Sequence, residues 1–285
     1  MRRRISRWRR GLRQVGVGLV FVAISSGLWY AQEQEYRDRL SWMGVPTWER
    51  LTPTNLHRVL RNDGFLVGWS DLRVNPLWVS YTLRAVENPR AAPRPDFRRD
   101  WRALWPIAPD SYFGSGYDRG HLAPNYAIAV VHGREAQRQT FQMSNMSPQR
   151  PDLNRRLWQR LEEVVIDHFV PRFGTLQVIT GPIFPARFRD NVLNRVGLVE
   201  VPEAFYKIVV VPGDEPLALA FIMPQTVRGD EPLDRYLVSI DEVEARTGLN
   251  FFPNLPAAEA GRLEGGVRTR GWALESVARL PGRFD

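Results

Sequence analysis

An α+β domain built on a largely antiparallel or mixed sheet is what this 285-residue sequence predicts. Three observations predict it. Short runs with strand composition recur along the chain, at Phe65–Ser70, Leu77–Leu83, Leu176–Thr180, Phe205–Val211 and Leu217–Met223. One long segment, Asn154 to Phe169, carries apolar residues at helical spacing. Strands and helices do not alternate regularly, which argues against a doubly wound parallel sheet. An apolar fraction of 44% can fill a sizeable core, so wholesale disorder is excluded.

Taken in order, the chain opens with seven arginines in its first thirteen residues and then an uncharged run from Val15 to Ala31. Such a run sits at the lower length limit for crossing a hydrocarbon core. With basic residues ahead of it and Glu33 and Glu35 behind, residues 1–31 are expected to be a membrane anchor or a cleaved signal segment. The remainder would then be exported to the periplasm or beyond. Residues 32–58 read as a tether and lead-in, and 59–255 as the single folded domain. Within it, Asp71 to Asn75 is a polar turn between the first two strands, and 84–111 is a surface excursion rich in proline and arginine. Gly133 to Gln139 reads as a short helix and Thr140 to Met146 as a strand. In the long helix, Leu157, Leu161, Val164, Val165 and His168 form one stripe, with Asp152 as its N-cap. Asp241 to Thr247 reads as a helix stopped by Gly248. Residues 256–285 are low in signal and read as a tail.

Charge says less than it first suggests. The formal net charge is +8, from 39 basic and 31 acidic residues. Without the seven leading arginines the balance is close to neutral, so any nucleic-acid surface must come from local clustering. The absence of cysteine excludes disulfides, thiolate nucleophiles and cysteine zinc sites.

Two strings carry chemistry. Asp118-Arg119-Gly120-His121 follows the turn-like run Gly114-Ser115-Gly116 and sets an acid, a cation and an imidazole around one glycine. A neutral imidazole can take a proton from water near pH 7, and a guanidinium can hold a phosphate oxygen by two hydrogen bonds. The glycine lets the backbone come close. The second string is Asn145-Met146-Ser147-Pro148-Gln149, followed by Asn154 and, two turns later, Glu162. Oxygen ligands of this kind suit magnesium. The competing reading makes Asn154 a helix cap and Glu162 a solvated surface residue. His57, His132 and His168 are read as structural, and no tryptophan as a base-stacking platform.

Together these strings resemble the DNA/RNA non-specific endonuclease family, the ββα-metal nucleases. The signature D-R-G-H, a small apolar residue, Ala and Pro stands here as Asp118 to Pro124, with Ser115-Gly116 leading in. Asn145 to Gln149, Leu153-Asn154 and Trp158 to Glu162 match the second part. Trp78 to Tyr81, Ser239 to Glu244, Thr247 to Leu249 and Phe251-Phe252 are also alike. Ordered matches at several spaced sites are more specific than one motif.

The resemblance implies a ββα-metal fold, a central mostly antiparallel or mixed sheet flanked by helices. It implies His121 as general base, Asn154 as the Mg2+ ligand (with Mn2+ a substitute), and Arg119 and Glu162 supporting phosphate and metal waters. Asp118 belongs to the same group, and Asn145 positions the loop or the base. A phosphate-contacting arginine falls to Arg94, with Arg90 its rival. The implied reaction is hydrolysis of DNA or RNA through backbone phosphate, leaving 5′-phosphate ends, with little sequence selectivity. The alternatives are a catalytically silent nucleic-acid-binding protein on the same fold and, more remotely, a membrane-tethered structural protein. Oligomeric state stays open, a homodimer included.

Overall fold

The structure is a computed structural model that describes residues 2–185 and 194–282. It divides into two units, Met1–Arg39 and Leu40–Asp285. The first is a helix, α1 (Arg2–Leu40). Residues 15–31, expected as anchor or signal, lie within it. Among the described residues no helix is long and apolar enough to cross a membrane, so the anchor gains no support.

The second unit contains strands β1 (Thr47–Trp48), β2 (Arg58–Asn62), β3 (Phe65–Ser70), β4 (Asn75–Arg84) and β5 (Asp118–His121), then helix α2 (Asn125–Thr140) and strand β6 (Met146–Gln149). A long helix follows, in which π-wound turns at Leu153–Leu157 and Val165–Phe169 bracket the α-helical α3 (Trp158–Val164), before Val170–Phe173 closes it. Strands β7 (Thr175–Ile183), β8 (Arg195–Val196), β9 (Val199–Glu200), β10 (Ala204–Val211), β11 (Leu217–Pro224) and β12 (Leu237–Val238) come next. Helix α4 (Ile240–Thr247), strand β13 (Leu249–Asn250) and two short helices, Ala257–Leu263 and Leu274–Val277, end the chain.

Seven strands form one sheet in the order β12-β11-β10-β7-β4-β3-β2, every pair antiparallel. Because side chains alternate along a strand, residues two apart share a face. Phe205, Lys207 and Val209 thus point one way with Tyr81 and Val178, toward Leu157, Trp158, Leu161 and Val165 of the long helix. Tyr206 and Ser80 point the other way. There Ser80 Oγ donates to Leu40 O at 2.8 Å, and Tyr206 stacks beside Phe251 with ring centroids 5.2 Å apart. Both faces are covered, which is why β10 and β7 read as nearly unbroken apolar runs rather than alternating ones.

Several expectations need correction. Thr140 to Met146 is not a strand: Thr140 ends α2, a turn follows, and the strand is β6, which begins at Met146. Helix α2 starts eight residues before Gly133, whose φ of 88° and ψ of −174° kink it. A side chain strains at positive φ, so glycine marks the break. Asp152 is no N-cap, since its own φ and ψ of −64° and −34° are helical. His168 is exposed; the π turn advances the stripe by five residues, and Phe169 takes the buried place.

Residues 271–280 fold onto the helix layer, while Glu264, after the helix Ala257–Leu263, accepts through its carbonyl from Asp241 N of α4 at 3.3 Å. Trp272 packs on Phe169 and Phe173 with ring centroids 4.9 and 4.8 Å away. Arg160, on α3, donates to the carbonyls of Leu280, Ala278 and Glu231 at 2.9 to 3.1 Å. Gly248 stops α4 in the left-handed region, φ 68° and ψ 23°, and Ser239 caps its start by accepting from Glu242 N.

Candidate active site

Two short strands and the start of the long helix build the site. Strand β5 pairs antiparallel with β6, setting His121 opposite Met146 and Asp118 opposite Gln149. In the strand, Arg119 and His121 share a face and Gly120 faces away. A Cβ placed on Gly120 would fall 2.0 Å from Gln149 Oε1 and 2.6 Å from its Cγ. The glycine therefore admits the Gln149 side chain, the close neighbour the sequence left unnamed.

The hairpin is fastened to the helix by Asp118. Its carboxylate accepts from Asn154 Nδ2 at 3.0 Å and from Arg155 Nε and Nη2 at 2.8 and 2.7 Å. These partners outweigh burial and hold the Asp118 carboxyl below its usual range. An open cleft of about 650 Å³ between hairpin and helix takes in Arg94, Asp118, Arg119, His121, Asn154 and Glu162, six of the seven residues singled out from sequence. The seventh, Asn145, is fully buried behind it. Its Oδ1 accepts from Ala123 N at 2.9 Å, and its Nδ2 donates to Ala123 O and Thr140 O at 3.0 and 2.9 Å. Asn145 thus pins the chain two residues past His121. Arg90 does not line the cleft.

His121 lies between Phe97 and Phe141, ring centroids 5.6 and 4.8 Å away. Among the described residues its buried Nε2 has no hydrogen-bond partner. Burial, then Arg94 and Arg119, lower its pKa to about 3, so the imidazole is neutral at ordinary pH. Arg119 stacks over Phe97 at 4.2 Å and donates to Pro109 O at 3.1 Å.

Asn154 is not a cap, since its backbone N–H donates to Arg150 O at 2.9 Å. Nor is Glu162 a solvated surface residue. Its Oε1 is buried without a hydrogen bond, 3.5 Å from the Nζ of Lys207, which is 1% exposed and lies 4.3 Å from the Trp158 ring centroid. Burial raises the Glu162 pKa, and Lys207 opposes that rise. With Asn154 Nδ2 committed to Asp118, the amide leaves its carbonyl oxygen for the cleft. That oxygen and the Glu162 carboxylate are hard donors that fit a divalent cation of the magnesium type.

Sequence reasoning missed Arg155 and Lys207. Arg155 adjoins Asn154, and Lys207 interrupts the apolar strand Phe205 to Val211, which is the signal that could have found it. His57 and His132 are structural: His57 Nε2 accepts from Trp78 Nε1 at 3.0 Å, and His132 Nε2 lies 2.8 Å from Thr82 O.

Comparison with known proteins agrees with this geometry. The pattern of the DNA/RNA non-specific endonuclease family matches residues 49–258. A nuclease of Nostoc sp. is 32% identical over 221 residues, covering 72% of this chain and 76% of its own length. Nuclease C1 of Cunninghamella echinulata is 41% identical over 164 residues, covering 53% of this chain; the match spans 63% of that protein's length. A crystal structure of an EndoG/EndoGI complex superimposes with a TM-score of 0.65 at 25% identity, covering 78% of this chain and 93% of that one. With the paired strands, the helix and the matched sequence in agreement, this chain belongs to the DNA/RNA non-specific endonuclease family.

Proposed function

We propose that the protein is a divalent-metal-dependent endonuclease that hydrolyses phosphodiester bonds of DNA and RNA without sequence selectivity, with magnesium as the ordinary ion. One observation carries the reading: His121, whose Nε2 has no partner among the described residues, and Asn154, whose amide nitrogen is committed to Asp118, line one open cleft with the guanidiniums of Arg94 and Arg119.

Arg94 and Arg119 bind the scissile phosphate by charge-assisted hydrogen bonds. His121 accepts a proton from the attacking water. Its low pKa in the free protein follows partly from the two arginines, and a bound phosphodiester offsets both. Basicity therefore rises when substrate arrives. Asn154, through its carbonyl oxygen, and Glu162, through its carboxylate, are the residues that would hold and orient a hydrated divalent cation. A divalent cation held there would supply charge stabilisation at the phosphate and at the departing 3′ oxygen, and the products would carry 5′-phosphate ends. Asp118 keeps the Asn154 amide turned, and Asn145 keeps His121 in register. Contacts to backbone phosphate alone carry no base information, hence the lack of sequence selectivity.

The test incubates the full chain with supercoiled plasmid and with RNA, with magnesium or with chelator, beside His121→Ala. Metal-dependent cleavage that falls by about 100-fold or more in the variant is expected. Equal cleavage by the variant removes His121 from its role; binding without cleavage in either protein leaves a silent nucleic-acid binder.

A further inference from the structure

The sequence offered no tryptophan as a stacking platform, yet the excursion from Arg94 to Phe113, whose Arg94 and Phe97 line the cleft, exposes large apolar side chains. Trp101 is 75% exposed, Leu104 72%, Trp105 57%, and Phe113, at the far end, 94%. Three such side chains within five residues form a patch that a soluble surface ordinarily avoids without a partner.

The patch is not a loose loop. Leu104 N donates to Asp71 Oδ1 at 2.9 Å, and Ala103 N to Asp100 O at 3.2 Å. Arg102 donates to Arg61 O at 2.6 Å and to Asn62 Oδ1 and Gln142 Oε1 at 2.9 Å. Ala103 and Ile107 are buried in the core. The rings therefore stand on a pinned turn, which lowers the entropy lost when they bind.

Both ends of the excursion touch the active site. Phe97 packs on His121 and under Arg119, while Pro109 O accepts from Arg119. Trp101 is four residues beyond Phe97, which lines the cleft, so its Cα lies within about 14 Å of that of Phe97. Charge points to a polyanion. Asp100 is engaged by Arg102 and by Ser144 Oγ. That leaves Arg94, Arg98 and Arg99 against Asp96 and Asp110, a net of one positive charge, and the Arg99 guanidinium lies 5.8 Å from the Trp101 ring centroid.

Resting on the nuclease reading, we propose that Trp101 and Trp105, with Leu104 between them, form a stacking surface for unpaired bases of the strand entering the cleft, so that single-stranded nucleic acid is the favoured substrate. Arginines interleaved with exposed rings are the means by which proteins hold single strands, because the ring meets a base face that a duplex keeps stacked.

The experiment measures binding of fluorescein-labelled dT20 and of a 20-base-pair duplex by anisotropy, in chelator, for the full chain, Trp101→Ala/Trp105→Ala and Trp101→Phe/Trp105→Phe. Stacking at two bases predicts that the alanine variant loses at least ~10-fold in Kd for dT20. The duplex Kd changes much less, and the phenylalanine variant recovers most of the single-strand affinity. With magnesium, kcat/KM for dT20 relative to bis(p-nitrophenyl) phosphate should fall at least ~10-fold in the alanine variant. Equal losses on duplex and single strand, or none on either, overturn the proposal. So does a variant that loses only self-association or pelleting with anionic vesicles. Failure of the wild type to hydrolyse either substrate sinks the nuclease reading instead, and the anisotropy still reads the surface.

Discussion

Gly120→Ala is the sharpest probe of how the hairpin carries His121. The added Cβ would lie 2.0, 2.4 and 2.6 Å from Oε1, Cδ and Cγ of Gln149. Relaxed contact between carbon atoms begins near ~3.5 Å, so the glutamine must withdraw by about 1 Å or more. Gln149 is fully buried and cannot swing into solvent. Overpacking of this kind costs about 1–3 kcal/mol. At about 2–4 °C per kcal/mol for a domain of this size, Tm should drop by roughly 2–12 °C. The catalytic cost should be larger, because His121 is the next residue and a displacement of ~1 Å can cost about 100-fold in rate. Thermal melts and initial rates on supercoiled plasmid read the two effects separately. Gln149→Ala added in the same chain should restore most of both. Neither polar atom of that glutamine has a hydrogen-bond partner among the described residues, so truncating it breaks no bond. A Gly120→Ala enzyme with wild-type Tm and rate would refute the reasoning, as would a double variant with no recovery.

Two further outcomes follow from the buried charges. Lys207→Met strands the Glu162 carboxylate; stability should fall by about 3 kcal/mol, and the acid limb of the pH–rate profile should move upward as Glu162 takes a proton. Adding Glu162→Gln should recover the stability but not the activity, and an unchanged melting curve in Lys207→Met would dismiss the pair. His121 has a folded pKa near 3 against 6.5 in the unfolded chain. The folded state thus binds fewer protons between these values, and stability present above pH 6.5 is lost as pH falls toward 3. His121→Phe melts compared at pH 7 and pH 4 should show a smaller loss than the wild type, by up to about 3 kcal/mol; equal losses would contradict a buried neutral imidazole.

How much of this was legible in the sequence depended on whether the signal was local. Phe65–Ser70 matched its strand because composition and the turn at Asp71 to Asn75 agree. Gly248 ended α4 because left-handed backbone is what glycine permits. The D-R-G-H string named its own site, and the cleft gathers Asn154 and Glu162 beside it. What failed was non-local or non-standard. A five-residue π turn breaks the three-and-four rule, so His168 was set on a stripe that Phe169 occupies. The kink at Gly133 hid the first half of α2. Lys207 looked like one more strand residue, because only the fold brings it behind Glu162. Residues 271–280 have weak periodicity, and their place comes from Arg160, Phe169 and Phe173, which no window of the sequence joins to them.

The clamp between Asp118 and Asn154 explains why an amide stands at the head of the long helix. An amide is two-sided: its nitrogen donates to Asp118 and its oxygen is left uncommitted to that carboxylate. A carboxylate there would set two negative charges about 3 Å apart, a juxtaposition that forces one of them to take a proton. Asn154→Asp, conservative in shape, would trade an anchored oxygen for a pair of acids competing over a single proton. At this position neutrality keeps the two halves of the cleft joined before any substrate arrives.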